Sequence, residues 1–277
     1  MTHATLTGQL AHWAETCPER TWLRDLREDG SDDYSWGEAW EQVQALAGML
    51  ADRFGQGGRM ALLSRNRAHW FLADLAIIAS GNATVALFTT VPAPTAAYIL
   101  DFTDCAVLFV GETANWAAVR GVLPENITLI TLPGVALEEP HLRWEDLLES
   151  WRGEAPDYVC REDDTTALVF TSGTTGIPKG VIQTHDSNLV PIRRFVDAFG
   201  IRDHARYLSY LPLAHIAERQ IVEYSSLVAC GEVSFNETQD TVLRALQRTR
   251  PHMFFGPPRV WEQFQQAVVN KFGGQEA

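Results

Sequence analysis

The alternation of short apolar runs with helix-length segments between residues 60 and 132 constrains the fold more than any other feature of this sequence. The runs with the length and composition of strands are Met60–Leu63, Thr84–Phe88, Ala106–Val110 and Ile127–Leu132. The helices between them are predicted over Arg67–Ser80, over Thr95–Phe102 and after Thr113. Helix-length connections join parallel strands, and strands that are apolar along their whole length are covered by helices on both faces. We therefore predict an open α/β sheet.

The same alternation continues on both sides of this region. An amphipathic helix is predicted from Trp40 to Phe54. The predicted strands after residue 164 are Ala167–Thr171, Lys179–Thr184, Tyr207–Leu211, Glu232–Phe235 and Met253–Phe255. The predicted helices there are Asn188–Phe199, His215–Ala229, Thr241–Gln247 and Pro258–Lys271. Two turn-rich stretches, Pro133–Pro140 and the acidic Gly153–Asp164, are candidates for a subdomain boundary, and of the two we favour residues 153–164.

The charge balance and the cysteines exclude several classes of protein. The formal net charge of −13 disfavours nucleic acid as a partner. No stretch of the sequence approaches the length of a membrane span, and the first residues lack the apolar core of a signal peptide. We therefore predict a cytoplasmic protein with no transmembrane segment, which leaves peripheral membrane contact open. Cys17, Cys105, Cys160 and Cys230 form no Cys-x-x-Cys pair, so we expect reduced thiols and neither a zinc site nor a redox dithiol.

Ten residues between two predicted strands have the composition of a phosphate-binding loop: Thr171-Ser-Gly-Thr-Thr-Gly-Ile-Pro-Lys179-Gly180. Glycines let backbone N–H groups approach anionic oxygens, hydroxyl groups add donors, and Lys179 supplies a positive charge. The loop follows a strand, where open α/β sheets bind their ligands. It is not a Walker loop, because Pro178 precedes the lysine and Gly180 follows it. The alternative is a flexible surface hairpin rich in Ser, Thr and Gly.

The loop resembles that of the adenylate-forming (AMP-binding) enzymes, whose pattern Ser/Thr-Ser-Gly-Thr-Thr-Gly-x-Pro-Lys-Gly is matched at every position. The blocks that resemble bacterial long-chain fatty-acid–CoA ligases in particular are Asp33–Glu38, Met60–Asn66, Leu208–Arg219 and Phe254–Glu262. One departure is Ala86–Thr90, where the family commonly has a proline and an aromatic residue. The resemblance implies the fold of the family's large N-terminal domain, an α/β arrangement of stacked, mostly parallel sheets flanked by helices.

The resemblance also implies roles for individual residues. The residues expected to hold ATP are Thr171, Ser172, Gly173, Thr174, Thr175, Gly176 and Lys179, and Thr174 is additionally a candidate contact for Mg²⁺. The residues expected near the acyl substrate are His215, Glu218, Gly256 and Arg259. His215 is also the candidate catalytic residue, with capping of the following helix as its alternative role.

Some of these residues also fit plainer roles. Glu218 and Arg219 could form an ordinary exposed pair, and Trp261 and Phe264 are expected in the core. His215 and Glu218 lie three residues apart, but no third ligand is in view, so we expect no metal between them.

The reaction that the resemblance implies is the ATP-dependent activation of a long-chain fatty acid to an acyl-adenylate and then to acyl-CoA, with Mg²⁺ and coenzyme A. The family's later motifs, Tyr-Gly-x-Thr-Glu, Thr-Gly-Asp and a catalytic lysine, do not occur in the sequence. We therefore expect residues 1–277 to form an incomplete N-terminal domain without the C-terminal lid domain, and to have little adenylation activity alone. An acyl-AMP ligase that serves a carrier protein and a non-catalytic nucleotide- or acyl-binding fragment are the alternatives.

Overall fold

The computed structural model describes residues 4–171, 178–236, 238 and 241–272. The strands in these residues are β1 Thr21–Arg27, β2 Gly30–Ser35, β3 Arg59–Ser64, β4 Ala83–Leu87, β5 Val107–Gly111, β6 Thr128–Thr131, β7 Leu142–Arg143, β8 Thr165–Thr171, β9 Lys179–Thr184, β10 Arg206–Ser209 and β11 Glu232–Phe235. The helices are α1 Leu6–Thr16, α2 Trp36–Phe54, α3 Ala68–Ala79, α4 Ala93–Thr103, α5 Trp116–Arg120, α6 Trp144–Ser150, α7 His185–Ala198, α8 Ile216–Glu218, α9 Ser225–Val228, α10 Val242–Thr249 and α11 Pro258–Phe272. A π-helical segment, Arg219–Tyr224, joins α8 to α9.

The strands form two sheets. The larger sheet has the order β7-β6-β5-β3-β4-β8-β9. Its neighbouring strands are parallel except for β8 and β9, which form an antiparallel hairpin. The smaller sheet has the order β10-β11-β1-β2, in which only β1 and β2 are antiparallel. The predicted fold class of mostly parallel sheets flanked by helices is confirmed.

Helix α3 lies between the two sheets. All twelve of its residues are buried. The Phe71 ring packs edge to face on Phe235 of β11, with 5.0 Å between centroids, and the Ala68 N–H donates to the Asp25 carboxylate of β1 at 2.9 Å. On its other side α3 shares one apolar core with β3 and β4. A helix that is apolar around its circumference belongs in a protein interior, so α3 holds the two sheets together through its packing.

A buried ion pair connects α3 to the helical segment after β10. Arg219 donates from Nη2 to Asp74, and its Nε lies 3.5 Å from the Glu223 carboxyl group. Trp70 and Tyr224 place their ring centroids 5.2 and 5.4 Å from the guanidinium carbon. Burial raises the pKa of Glu223 well above its ordinary value, so we assign this carboxyl as neutral and Arg219–Asp74 as the charged pair.

The structure corrects several sequence-based expectations. Glu218 and Arg219 are not an exposed pair, since both are buried. Trp261 is 51% exposed and is not a core residue. The strand predicted at Met253–Phe255 does not form; this segment is held by the Phe254 ring stacked on Tyr210 rather than by a β-ladder.

The stretch over residues 153–164 contains neither helix nor strand. Strand β8, which follows it, pairs with β4, which precedes it, in one sheet. The Tyr158 hydroxyl donates to Asp164 within the stretch. A subdomain boundary there stays a prediction.

Replacing Arg219 tests the buried ion pair. We expect Arg219→Met to lower the free energy of unfolding by about 3–5 kcal/mol, because the Asp74 carboxylate then lies buried without its cation. Arg161→Met removes an ion pair that is exposed at both partners and should change stability little. Urea unfolding of both variants checks this, and equal losses for the two would contradict the assigned role of Arg219.

Candidate functional site

The predicted phosphate loop connects the strands of the β8–β9 hairpin. Thr171 and Lys179 are opposite each other in the ladder and therefore form the base of the loop. Strand β8 runs parallel to β4, so this base lies at the carboxyl edge of the larger sheet. Thr171 and Lys179 are exposed. The predicted ATP-binding residues Ser172, Gly173, Thr174, Thr175 and Gly176 lie outside the described residues.

His215 follows strand β10 and begins the next helix. Its Nδ1 accepts a hydrogen bond from the Ala217 N–H at 3.2 Å, as an N-cap side chain does. A neutral ring in this arrangement carries its proton on Nε2, which is therefore a hydrogen-bond donor. The side chain is exposed and lines a cavity. Capping and a ligand-facing position are thus compatible in the same residue.

That cavity, which we call the hairpin cavity, has a volume of about 500 Å³. It brings together the base of the hairpin, which belongs to the larger sheet, and His215, which follows β10 of the smaller sheet. Its lining residues are Ala86, Leu87, Phe88, Thr90, Val91, Pro92, Thr95, Ile99, Phe170, Thr171, Pro178 and His215. The lining is mostly apolar, with hydroxyl groups and one imidazole, which is the composition of a site for a ligand that is part apolar and part polar.

A neighbouring cavity of about 300 Å³, the edge cavity, lies where the carboxyl ends of strands from both sheets meet. It shares Leu87 and Phe88 with the hairpin cavity. Its lining residues are Ser64, Arg65, Asn66, Leu87, Phe88, Thr89, Glu112, Tyr210, Pro212, Leu213, Ala214, Asn236 and Thr238. The two cavities are therefore continuous in their lining along one edge of the molecule.

Asn66 connects the two sheets at this edge. Its amide group follows β3 and donates to the Ser209 hydroxyl at 2.8 Å and to the Leu211 carbonyl at 2.6 Å. Its side-chain oxygen accepts from the Leu213 N–H at 3.3 Å. These three hydrogen bonds fix the segment that leads to His215 against the larger sheet.

Glu218 lies beneath the same segment, and its side chain is only 1% exposed. Its carboxyl group accepts hydrogen bonds from the Ser209 hydroxyl at 3.1 Å and the Tyr210 N–H at 3.0 Å. Burial raises its pKa to about 8. Glu218 is among the lining residues of neither cavity, and it contacts the backbone that carries His215.

Gly256 and Arg259 lie near this edge without lining either cavity. The Gly256 carbonyl accepts from the Trp261 indole at 2.8 Å, and a Cβ at this position would lie 3.1 Å from the same indole nitrogen. The neighbouring Phe255 carbonyl accepts from the Tyr210 hydroxyl at 2.8 Å. Arg259 is exposed in the first turn of α11. Roles for Gly256 and Arg259 at a substrate stay predictions.

The described residues contain no group of three or more His, Cys, Asp or Glu side chains that could hold a metal ion. Thr174, the candidate Mg²⁺ contact, lies outside them. No helix within the described part of the chain is long and apolar enough to cross a bilayer.

The two helix-flanked sheets define an α/β protein whose cavities lie at the carboxyl edges of the strands, the place where open α/β sheets bind ligands. The model of the AMP-binding enzyme family matches residues 10–275. The chain belongs to that family.

Its relatives include long-chain acyl-CoA synthetases. The peroxisomal long chain acyl-CoA synthetase 7 of Arabidopsis thaliana is 30% identical over 96% of this chain and 41% of its own length. The long-chain-fatty-acid–CoA ligase heimdall of Drosophila melanogaster is 27% identical over 87% of this chain and 38% of its own length. The chain thus spans about two fifths of the length of these relatives.

Solved structures share the fold at lower identity. The o-succinylbenzoate CoA synthetase of Bacillus subtilis has a TM-score of 0.76 and 22% identity over 93% of this chain and 63% of its own. A putative long-chain-fatty-acid CoA ligase of Rhodopseudomonas palustris has a TM-score of 0.75 and 21% identity over 88% of this chain and 61% of its own. These similarities establish the architecture and not the substrate.

Sequence reasoning did not identify Asn66, Phe88 or Thr90 as site residues. Asn66 had one usable signal, a polar side chain immediately after a buried strand, where α/β sheets place ligand-side groups. Phe88 and Thr90 lie in the segment that departs from the family pattern, and no local pattern marks them.

Glu218 should make the stability of the protein depend on pH. A pKa raised to about 8 from 4.5 means that unfolding releases a proton between these pH values, so the contribution of Glu218 to stability falls as pH rises through this range. One pKa unit corresponds to about 1.4 kcal/mol. Relative to that of the unchanged protein, the free energy of unfolding of Glu218→Gln should therefore rise by several kcal/mol between pH 5 and pH 8.

The measurement is denaturant unfolding at both pH values, with Glu41→Gln as the matched control because Glu41 is exposed on α2. If the stability of Glu218→Gln depends on pH in the same way as that of the unchanged protein, Glu218 is ionised in the folded protein, contrary to its burial.

Proposed function

We propose that this chain forms the phosphate- and acyl-binding edge of an ATP-dependent acyl-CoA ligase that activates long-chain fatty acids through an acyl-adenylate. The observation that supports this most is the hairpin cavity, in which the base of the phosphate loop and His215 line one largely apolar space. Membership of the AMP-binding enzyme family and the relatives named as long-chain acyl-CoA synthetases support the same substrate class.

The polar end of the cavity suits the reacting groups. The loop would hold the polyphosphate of ATP through backbone N–H and hydroxyl donors, and Lys179 at its base would offset the negative charge. His215 would donate from Nε2 to an oxygen of the acyl-adenylate. Adenylation needs positioning and charge neutralisation more than covalent help from the protein. Hydrogen-bond donors and a positive charge placed around the reacting groups would therefore be enough for these residues to contribute to catalysis.

The apolar part of the cavity suits the acyl chain. Phe88, Val91, Ile99 and Phe170 contribute its walls. Their burial of methylene groups would favour a long chain by roughly 0.8 kcal/mol for each CH₂ removed from water. For the whole enzyme the proposal includes Mg²⁺ as a cofactor and coenzyme A as a cosubstrate, but no step described for these residues depends on them.

The acceptor distinguishes this proposal from its nearest alternative. An acyl-AMP ligase for a carrier protein would use the same activation step and differ only in the thiol that takes the acyl group. The relatives named as CoA ligases favour coenzyme A. The cytoplasmic location predicted from the sequence stays a prediction.

Two lysines in the whole sequence make the phosphate site directly measurable. Lys179 is at the base of the loop, and Lys271 lies in α11. We expect ATP or tripolyphosphate to protect Lys179 severalfold from an amine-reactive label and to leave Lys271 unprotected. We also expect Lys179→Ala to weaken ATP binding about 10- to 100-fold, or roughly 1.4–2.8 kcal/mol, while Lys271→Ala does not.

Mass spectrometry of labelled peptides and calorimetric titration provide the two measurements. Equal protection of both lysines, or equal ATP affinity for the protein and Lys179→Ala, would contradict a phosphate site at the hairpin. Replacing ATP with AMP tests the assignment further, because protection that needs the β- and γ-phosphates should then be lost.

A further inference from the structure

Cys17 and Cys230 lie side by side in the fold, although 213 positions separate them in the sequence. Their sulfur atoms are 3.4 Å apart, and both thiols are free. The sequence alone gave no support for a redox dithiol, because the four cysteines are widely spaced and no Cys-x-x-Cys pair occurs. Wide spacing in the sequence does not separate them in the fold, since two of the four thiols are in contact.

The backbone around both cysteines is held in place by neighbouring contacts. Cys17 ends helix α1, where its N–H donates to the Trp13 carbonyl at 2.9 Å. Trp13 in turn donates from its indole to the Leu227 carbonyl of α9 at 2.6 Å, three residues before Cys230. The two helix ends are therefore docked independently of any bond between the sulfurs.

Cys230 occupies an unusual backbone position. Its φ of 46° is in the left-handed region, at the end of the turn that follows α9. Glycine or asparagine is favoured there, and a side chain carries a steric penalty. Backbone strain of this kind is concentrated at functional sites, and here the strained residue places its sulfur against a second thiol.

We propose that Cys17 and Cys230 are a site of reversible oxidation, at which a low-molecular-weight disulfide converts the two thiols to an intramolecular disulfide. The Cys17 thiolate attacks the reagent, forming a mixed disulfide and expelling one thiolate. The Cys230 thiolate then attacks the Cys17 sulfur and expels the second thiolate. The two protons of the cysteines pass to the two leaving thiolates, so two protein thiols are oxidised while one small disulfide is reduced to two thiols.

Accessibility sets the order of these steps. Cys17 is half-buried, whereas Cys230 is buried at 1% exposure, so the reagent reaches Cys17 first. Burial and, to a smaller extent, the neighbouring Cys17 thiol together raise the pKa of Cys230 to about 12. The second step should therefore be the slower one and should accelerate as pH rises. Bond formation needs the sulfurs to approach from 3.4 Å to about 2 Å.

The other two cysteines provide internal controls. Cys160 is half-buried like Cys17, but its thiol donates to the Ile78 carbonyl. Cys105 is buried and contacts the Thr103 hydroxyl at 3.1 Å. Neither has a hydrogen bond or sulfur contact to another cysteine among the described residues.

The bond would join α1 to the turn that enters β11, the strand between β10 and β1 in the smaller sheet. It would close a loop that contains nearly all of both sheets. Closing so long a loop restricts the unfolded chain, so the oxidised protein should resist unfolding more than the reduced one.

The experiment treats the reduced chain with glutathione disulfide, alkylates the remaining thiols and identifies the peptides without reduction. We expect one linked pair, Cys17 with Cys230, an intact mass lower by about 2 Da, and alkylated Cys105 and Cys160. We also expect the midpoint of thermal unfolding to rise by about 5 °C and to return on addition of dithiothreitol. Cys17→Ser should abolish the rise, and Cys160→Ser should retain it.

Three outcomes would overturn the proposal. One is a stable glutathione adduct on Cys17 with Cys230 still free at pH 8 to 9. Another is alkylation of Cys17 and Cys230 to the same extent as Cys105 and Cys160. The third is a disulfide between two molecules, seen as a dimer on a non-reducing gel. Because Cys17→Ser changes one half-buried atom, a folded variant is available even if substitutions of Cys230 prove unstable.

Discussion

The burial of α3 on every side is the constraint on which the rest of the structure depends. A helix placed between two sheets must satisfy its few polar groups inside the protein, since water cannot reach them. Asp25 of β1 accepts the first free N–H of α3, and Arg219 neutralises Asp74 near its middle. Each partner comes from the smaller sheet or the helix attached to it. The contacts that satisfy the polar groups of α3 in the interior therefore also position the two sheets.

This arrangement explains where the candidate site lies. Because α3 follows β3, the residues between them emerge at the carboxyl edge of the larger sheet, and there Asn66 binds the segment after β10. Glu218 supports that segment from beneath. His215 is carried at its end, facing the cavity that also contains the base of the β8–β9 hairpin. A set of buried polar contacts thus places two ligand-facing regions, one on each sheet, along a common edge.

Local patterns predicted most of the larger sheet, because β3, β4 and β5 are continuous apolar runs that are each followed by a helix; the two-residue strand β7 was missed. In the smaller sheet they predicted β10 and β11 but missed β1 and β2; β1 pairs with β11 from the other end of the chain, a register that no local signal encodes. Local patterns also missed the burial of Arg219. A Glu–Arg pair in a helix normally faces solvent, and only the π-helical segment and the packing of α3 show that this pair is buried. Motif residues such as His215 were identified, but the side chains that hold them, such as Asn66, were not.

The most direct test of this account measures whether the two regions bind one ligand together. Hydrogen–deuterium exchange of the 277-residue chain, with and without a long-chain acyl-sulfamoyl adenosine as a stable mimic of the acyl-adenylate, would show this. The account predicts slower exchange in residues 86–92, 178–180 and 211–217 together, which line the hairpin cavity or flank it. Slower exchange confined to residues 199–205 and 252–253, which line a separate cavity of about 400 Å³ at the amino end of β10, would contradict it.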